Sequence, residues 1–454
     1  MASTIGDRKP SKWALIPDDL LQEITHRLPK PSDYVRLGAV CKGWHSFARN
    51  SYNQKHLLHL YQNIPLLLIP TQNHEWRSLY SVTEGTVYDQ LQLHLPSKRC
   101  CGSSYGWLFF VDKVKKSTLE LILLNPFLGD NVTIRLPPIK FRSEDEIVGM
   151  MDDCGIQKAI LSKDPSEYPH DYEVLCGMFA KLAHYKSGDK YWSYARKVKR
   201  VVLADVIFYK DLILALDRFD WIRNFTLERV KRRIHSTNCS PWCLKWNTMK
   251  KRHPKRARNY AGNAYLVKNL NGDLLLVRRH YWGEDVIQAQ EAAKRWVAER
   301  EREIAEGGGA YQEAAAPIDD YDEFDKPSEC EEKESEYEEL TKPNLTHNFE
   351  VYRLFFMSTS TRMRMKKVIT KTLDEEILFL GDNNSISVSA SKYPELHPNS
   401  IYYTDDYSGL YEQNLQFGSC DTGIFNIEME KFDKHYVPCF STKGMSPPIF
   451  VLPQ

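Results

Sequence analysis

The sequence has no apolar run near the roughly 18 residues that a membrane-spanning helix needs, so no such helix and no membrane association are expected. Its first ten residues, MASTIGDRKP, hold no apolar core, which excludes a secretory signal. Ala2 excludes N-myristoylation. There is no Gly-x4-Gly-Lys-Ser/Thr loop, no His-Glu-x-x-His pair and no convincing pair of carboxylates for acid–base work. Strict internal repeats, a Trp-Asp signature and leucine-rich repeats are also missing. These absences point to an intracellular protein, nuclear and/or cytoplasmic. There the ten cysteines are reduced thiols, and sequons such as those at Asn224 and Asn383 carry no glycan.

What is present is a globular composition, 42% hydrophobic and 27% charged over 454 residues. Such a length suggests about two to four domains, unless one of them is a large β-architecture. The chain is rich in aromatics, with 25 Tyr, 19 Phe and 10 Trp, which suit half-buried strands. A net charge of +1 hides an asymmetry: residues 300–342 carry 16 acidic and 5 basic side chains, leaving +12 on the remainder. The two are separate electrostatic objects.

Near the start stands WALIPDDLLQEITHRLPKPSDYVRLGAVCKGWHSFARN, residues 13–50. Pro17, Asp18 and Asp19 favour a helix N-terminus. Leu20, Leu21, Ile24 and Leu28 follow at helical spacing, and Pro29 and Pro31 stop the helix. Ser32 is a candidate N-cap for the next helix. Leu37, Val40, Cys41, Trp44 and Ala48 form a second stripe. Two or three short helices in about 40 residues make a marginal core unless a partner or another domain covers them. Both covers fit: docking on another protein, or capping this chain's own β-body.

The same residues resemble an F-box, in IPDDLLQEI and VCKGW, with Ile16 where the family has Leu. The resemblance implies docking on a Skp-type adaptor and, through it, a cullin scaffold. Carried over by position, the docking set is Pro17, Leu20, Leu21, Ile24, Leu28, Val40, Cys41 and Trp44. Some of these must instead fill the small core.

From about Ile64 onward, short apolar runs alternate with turns: PLLLIP, YGWLFFVD, TLELILLN, VIFYKDLILAL, AYLVKN, DLLLVRR, EILFLG and SISVSA among about twenty. LVKNLNGDLLLV predicts a β-hairpin. So many short strands suit a propeller, a sandwich pair or a large barrel. The ordered series CGSSYGWLFFVD, LLNPFLGDNVTIRLPPI, AYLVKNLNGDLLLVRR, ILFLGDNNSISVSASKYPELHPNSIYYTDD and DTGIFNIE is similar to a plant F-box family with a KIB-type β-propeller. That resemblance implies a small all-α F-box followed by an all-β propeller of about six or seven blades. The expected organisation is a disordered N-terminus at 1–11, an F-box at 12–52 and a propeller at 60–454. An insertion at about 283–344, helical and then acidic and disordered, interrupts it.

Other motifs are weaker. GSSYG at 102–106 fits a nucleophile elbow formally, but a strand follows where the elbow needs a helix. His235, Cys239, Cys243 and His253 lack a common zinc spacing, and no metal or other cofactor is expected. Eleven Lys/Arg between Arg229 and Arg258 include a possible nuclear-import patch, Lys250, Lys251, Arg252, Lys255, Arg256 and Arg258. No recognition-helix or RNA-module motif accompanies it, so nucleic-acid binding is not expected.

The resemblance implies a non-catalytic substrate-recognition subunit of a Skp–cullin–F-box ubiquitin ligase, the propeller binding an unidentified target protein. One alternative is a binding protein that sequesters or relocates its partner without ubiquitylation. Another is a propeller enzyme, a hydrolase, because enzyme sites are assembled in three dimensions.

Overall fold

A computed structural model describes residues 12–28, 30–48, 64–73, 75–94, 100–115, 118–128, 132–140, 156–178, 181–195, 203–210, 212–217, 222–229, 242–247, 262–281, 346–359, 362–405, 421–436 and 447–452. The expected disordered N-terminus, the insertion at 283–344 and the import patch at 250–258 lie outside these residues. The helical elements come first: a 3-10 turn at Lys12–Leu15, then α1 (Asp18–His26), α2 (Pro31–Gly38) and α3 (Lys42–Ala48). No helix among the described residues is long and apolar enough to cross a membrane.

Among the described residues, the regular elements after the helices are strands, apart from one 3-10 turn at Ala390–Lys392. The first group is β1 (Leu66–Pro70), β2 (Trp76–Ser81) and β3 (Thr86–His94). The second is β4 (Cys100–Ser104), β5 (Trp107–Lys115), β6 (Thr118–Asn125), β7 (Val132–Arg135) and the short β8 (Ile139–Lys140). The third is β9 (Ile156–Leu161), β10 (Glu173–Met178), β11 (Lys181–Lys186) and β12 (Ser193–Tyr194). The fourth is β13 (Leu203–Tyr209), β14 (Leu212–Asp217), β15 (Ile222–Arg229) and β16 (Trp242–Asn247). The longest sheet joins β17 (Gly262–Lys268), β18 (Leu274–Tyr281), β19 (Thr346–Thr359) and β20 (Arg362–Thr370) to β21 (Glu376–Leu380), β22 (Ile386–Ser389), β23 (Ser400–Tyr403), β24 (Gly423–Asn426) and β25 (Lys431–Asp433). The two halves of that sheet meet at one parallel bridge, Lys268 to Ile386. Last comes β26 (Ile449–Val451), which pairs antiparallel with β1, Leu66 opposite Val451. The first sheet is thus built from both ends of the β-region.

The predicted hairpin is β17–β18, with Gly272 at φ 81 in its turn. VIFYKDLILAL, read as one run, is two strands, because the chain reverses at Lys210 with φ 53. Such hairpins are why 26 strands stand among the described residues where about twenty runs were read.

Strands near the centre are buried on both faces: all five residues of β1 and all five of β21 are buried. Where one face is wetter, alternation returns, as at the start of β6. Six buried clusters join successive groups among the described residues. Leu66 and Leu79 pack with Leu108 and Phe110, Phe109 with Ala159, and Ile160 with Val206. Leu214 packs with Leu266, Tyr265 with Leu378, and Phe379 with Leu67 and Phe450. The last cluster returns to the first sheet, so the cores close a ring, the radial arrangement of a β-propeller.

The centre of the ring is stitched by polar contacts. Asn384 N–H donates to the Ser103 carbonyl at 2.8 Å, and Ser103 Oγ donates to the Phe450 carbonyl. Lys158 Nζ lies 2.6 Å from Asp205 Oδ1 and 3.2 Å from Ser385 Oγ. Asp205 Oδ2 accepts from Leu266 N–H at 2.7 Å. The side chains of Ser103, Lys158, Asp205 and Ser385 are buried yet paired, as burial requires.

Candidate functional site

The helical unit begins with Pro17 ahead of α1, and Asp18 and Asp19 sit where the helix dipole favours acid. α1 ends at His26, before Pro29. Pro31 does not merely stop α1; it is the first residue of α2, where its missing N–H costs nothing. Ser32 is therefore not the cap. Its hydroxyl donates instead to Glu84 Oε1 at 3.0 Å. Gly38 lets α2 and α3 approach, since a Cβ there would lie 3.3 Å from that of Ala48.

The eight expected docking residues divide by burial. Leu21 is 2% exposed and belongs to the core with Tyr34, Leu37, Phe47 and Ala48. Ile24, Leu28 and Trp44 pack against that core and are half-buried, as is Cys41. Pro17, Leu20 and Val40 are exposed, Leu20 at 53% and Val40 at 59%. Two further large side chains join the exposed set, Trp13 and Leu15, both at 69%. Sequence reasoning passed over them because they precede the helical stripe. The only signal was a Trp and a Leu just ahead of Pro17. Trp44 Nε1 donates to the Trp13 carbonyl at 3.1 Å and so ties the opening turn to α3.

The rest of the unit leans on the β-ring. Leu21 and Phe47 share one buried cluster with Leu68, Tyr88 and Ile449. Burial in that cluster pushes the Tyr34 hydroxyl up to about 12. Lys30 Nζ reaches Glu395 Oε1 at 2.7 Å. The hydrogen bond to Glu395 holds Lys30 above its usual range and Glu395 below. The pair is partly exposed, so it orients the unit more than it stabilises it. The opening question of cover thus has a double outcome: one side of the helices caps the ring, and the other presents Trp13, Leu15, Pro17, Leu20 and Val40 to solvent.

A second concave site lies at the ring's centre. A cavity of about 1010 Å³ opens where the inner strands end, lined by Tyr105, Lys163, Phe208, Lys268, Ser385 and Val388 among others. Ser385, tied to Lys158, forms part of its wall.

The remaining motifs resolve as follows. GSSYG is the β4–β5 turn, with Tyr105 at φ 53 and Gly106 at φ 76. Ser104 Oγ is buried and accepts from Leu161 N–H at 3.2 Å, so it serves strand pairing rather than an elbow. Of the four zinc candidates only Cys243 is described, in β16; the other three lie outside the described residues. Cys101 and Cys176 are buried and unbridged.

An exposed apolar face on a small helical unit, mounted on a closed ring of β-sheets, defines an F-box-type propeller protein. The chain belongs to the KIB1-4 beta-propeller family, whose model matches residues 79–426, and an F-box-like model matches residues 13–57. A protein of Arabidopsis thaliana named as an F-box protein is 24% identical over 311 residues, covering 63% of this chain and 78% of the relative. The propeller match begins within β2 and ends with β24, so the β1–β26 pair that closes the ring lies outside it.

Proposed function

We propose that this protein is the target-recognition subunit of a Skp–cullin–F-box ubiquitin ligase. The exposed Trp13, Leu15, Pro17, Leu20 and Val40 carry the reading: the opening turn, the start of α1 and the α2–α3 connection leave large apolar groups in water while the same helices bury Leu21 and Phe47. Exposed apolar groups of this kind mark interaction sites. A Skp-type adaptor is the partner that F-box units take, and a cullin scaffold follows through it. The propeller holds the target, and six blades are inferred for it from the six buried clusters, the two halves of the longest sheet being taken as separate blades. The mechanism is proximity. Target lysines are held near a ubiquitin-charged enzyme on the same scaffold, which needs no catalytic side chain here. The reading places the protein in the nucleus and/or cytoplasm.

The test is a pull-down of the purified protein with a Skp adaptor, comparing wild type with Leu20→Ala/Val40→Ala and Trp13→Ala. Loss of capture by folded variants is expected. Folded wild type that captures no adaptor would sink the proposal. Ubiquitin transfer to a bound partner, lost in the same variants, separates a ligase subunit from a protein that only sequesters its partner.

A further inference from the structure

The central cavity has a charge pattern that nothing in the adaptor reading uses. Four lysines stand on its lining, each beside a different strand: Lys163 after β9, Lys210 in the β13–β14 turn, Lys268 at the end of β17 and Lys392 after β22. Two carboxylates, Asp171 and Glu173, also line it, and both are already engaged on the β9–β11 side. Asp171 takes Lys163 at 2.5 Å and Lys186 at 3.8 Å, and Glu173 takes His184 at 2.7 Å. Hydrogen bonds from Lys163 and from His184 hold these two carboxyls below their usual range, so both stay charged and occupied.

Lys210, Lys268 and Lys392 are exposed and join no carboxylate among the described residues. Lys210 and Lys392 lie over their neighbours' rings, Tyr209 and Tyr393, at 5.1 and 5.4 Å. One side of the mouth is therefore neutralised and the other is cationic. Between them the lining is apolar, with Phe208, Leu212 and Val388, and polar at the serines of β22.

We propose that this mouth captures a short acidic segment of the target protein, its carboxylates on Lys210, Lys268 and Lys392 and an apolar side chain in the cavity between them. The inference rests on the adaptor reading only for the purpose of capture. The chain's own acidic stretch joins the ring at the other end: β18 leaves at Tyr281, opposite Thr346, whereas the cavity lies at the Lys268–Leu274 turn. An occupant from outside fits that layout. Cationic mouths of this sort also raise encounter rates with acidic partners.

The experiment is fluorescence anisotropy of the full chain with a labelled peptide of Asp and Glu around one Leu. Binding should weaken about tenfold or more in Lys210→Glu/Lys268→Glu/Lys392→Glu, and should fall as salt rises. Reversal of Lys431 and Lys434, outside the cavity, should leave it unchanged. Thermal melting verifies that both variants fold. A matched phosphoserine peptide separates a modified from an unmodified target, the tighter of the two naming the source. No binding of either peptide, or equal binding by the triple variant, would overturn the proposal. So would an oligonucleotide bound in the peptides' place with the same lysine dependence. Binding that emerges only when residues 300–342 are deleted would give the mouth to the chain's own acidic stretch instead. Adaptor capture without peptide binding would sink this inference alone. Peptide binding without adaptor capture would sink the ligase reading and leave the pocket.

Discussion

Lys158 on β9 and Asp205 on β13 meet at 2.6 Å in the middle of the ring, their side chains only 6% and 1% exposed. Each belongs to a different sheet. The pair is also tied to Ser385 and to the backbone of Leu266, so β9, β13, β17 and the turn before β22 share one charge pair.

Removing one partner strands the other in a low-dielectric interior. Lys158→Met should cost about 3–5 kcal/mol of stability. Lys158→Met/Asp205→Asn should recover part of that loss, because Asn keeps an oxygen for Leu266 N–H. Urea midpoints for the single and double variants measure this. A single variant as stable as wild type would show that the pair contributes nothing.

Gly102 sits on β4 against β9, where an added Cβ would stand 2.2 Å from the Ala159 carbonyl oxygen. Backbone cannot yield as a side-chain tip can. Gly102→Ala should destabilise by about 1–3 kcal/mol, lowering the melting temperature. The same change at Gly188, with nothing within 4 Å but a φ of 86, should act through local strain alone.

Leu20 and Leu21 are neighbours with opposite fates. Leu21→Ala should cost about 2–5 kcal/mol of stability, because it opens a cavity in the shared cluster. Leu20→Ala should stay within about 0.5 kcal/mol of wild type and lose adaptor capture. Melting curves of the two variants, run beside the pull-down, separate these effects. Equal destabilisation by both would refute the division of the helical face.

His435 packs between the rings of Tyr402 and Phe450, at 5.8 and 5.6 Å, with Nε2 3.3 Å from the Tyr403 carbonyl. Burial lowers its pKa from 6.5 to about 4. In the unfolded chain the ring takes its proton near 6.5, while the folded form resists until about 4. Its stabilising share is therefore complete above 6.5 and is lost as pH falls through that window, about 3 kcal/mol in all. His435→Phe should flatten this part of the profile, read as the difference between variant and wild-type urea midpoints at pH 7 and 5. Parallel profiles would remove His435 from the account.

Local signals carried most of the elements. Alternation and turn chemistry marked β5, β6 and the β17–β18 hairpin, and helical spacing with Pro17 and the two aspartates marked α1. The failures share a physical cause. Nothing local in LLLIP says that its partner is IFV near the other end of the chain, and nothing near Lys158 names Asp205. Burial also separates residues that look alike in sequence, as at Leu20 and Leu21. Ser32 reads as a cap because caps are local, yet its hydroxyl is taken by a distant glutamate. The cavity lysines were invisible for the same reason: each ends a different strand, and only ring closure brings them to one mouth.

The pairing of β1 with β26 also bears on how the protein is made. Synthesis proceeds at about 5–20 residues per second, and β1 leaves the ribosome long before β26 has been translated. Through that interval LLLIP, buried on every residue in the finished ring, has an open sheet edge and no inner neighbour. An apolar, unpaired edge of this kind invites pairing with other nascent chains. Production of the protein should therefore depend on a holding chaperone until the last strand arrives. A reading frame cut short before β26 would release a chain unable to shut, a substrate for quality control.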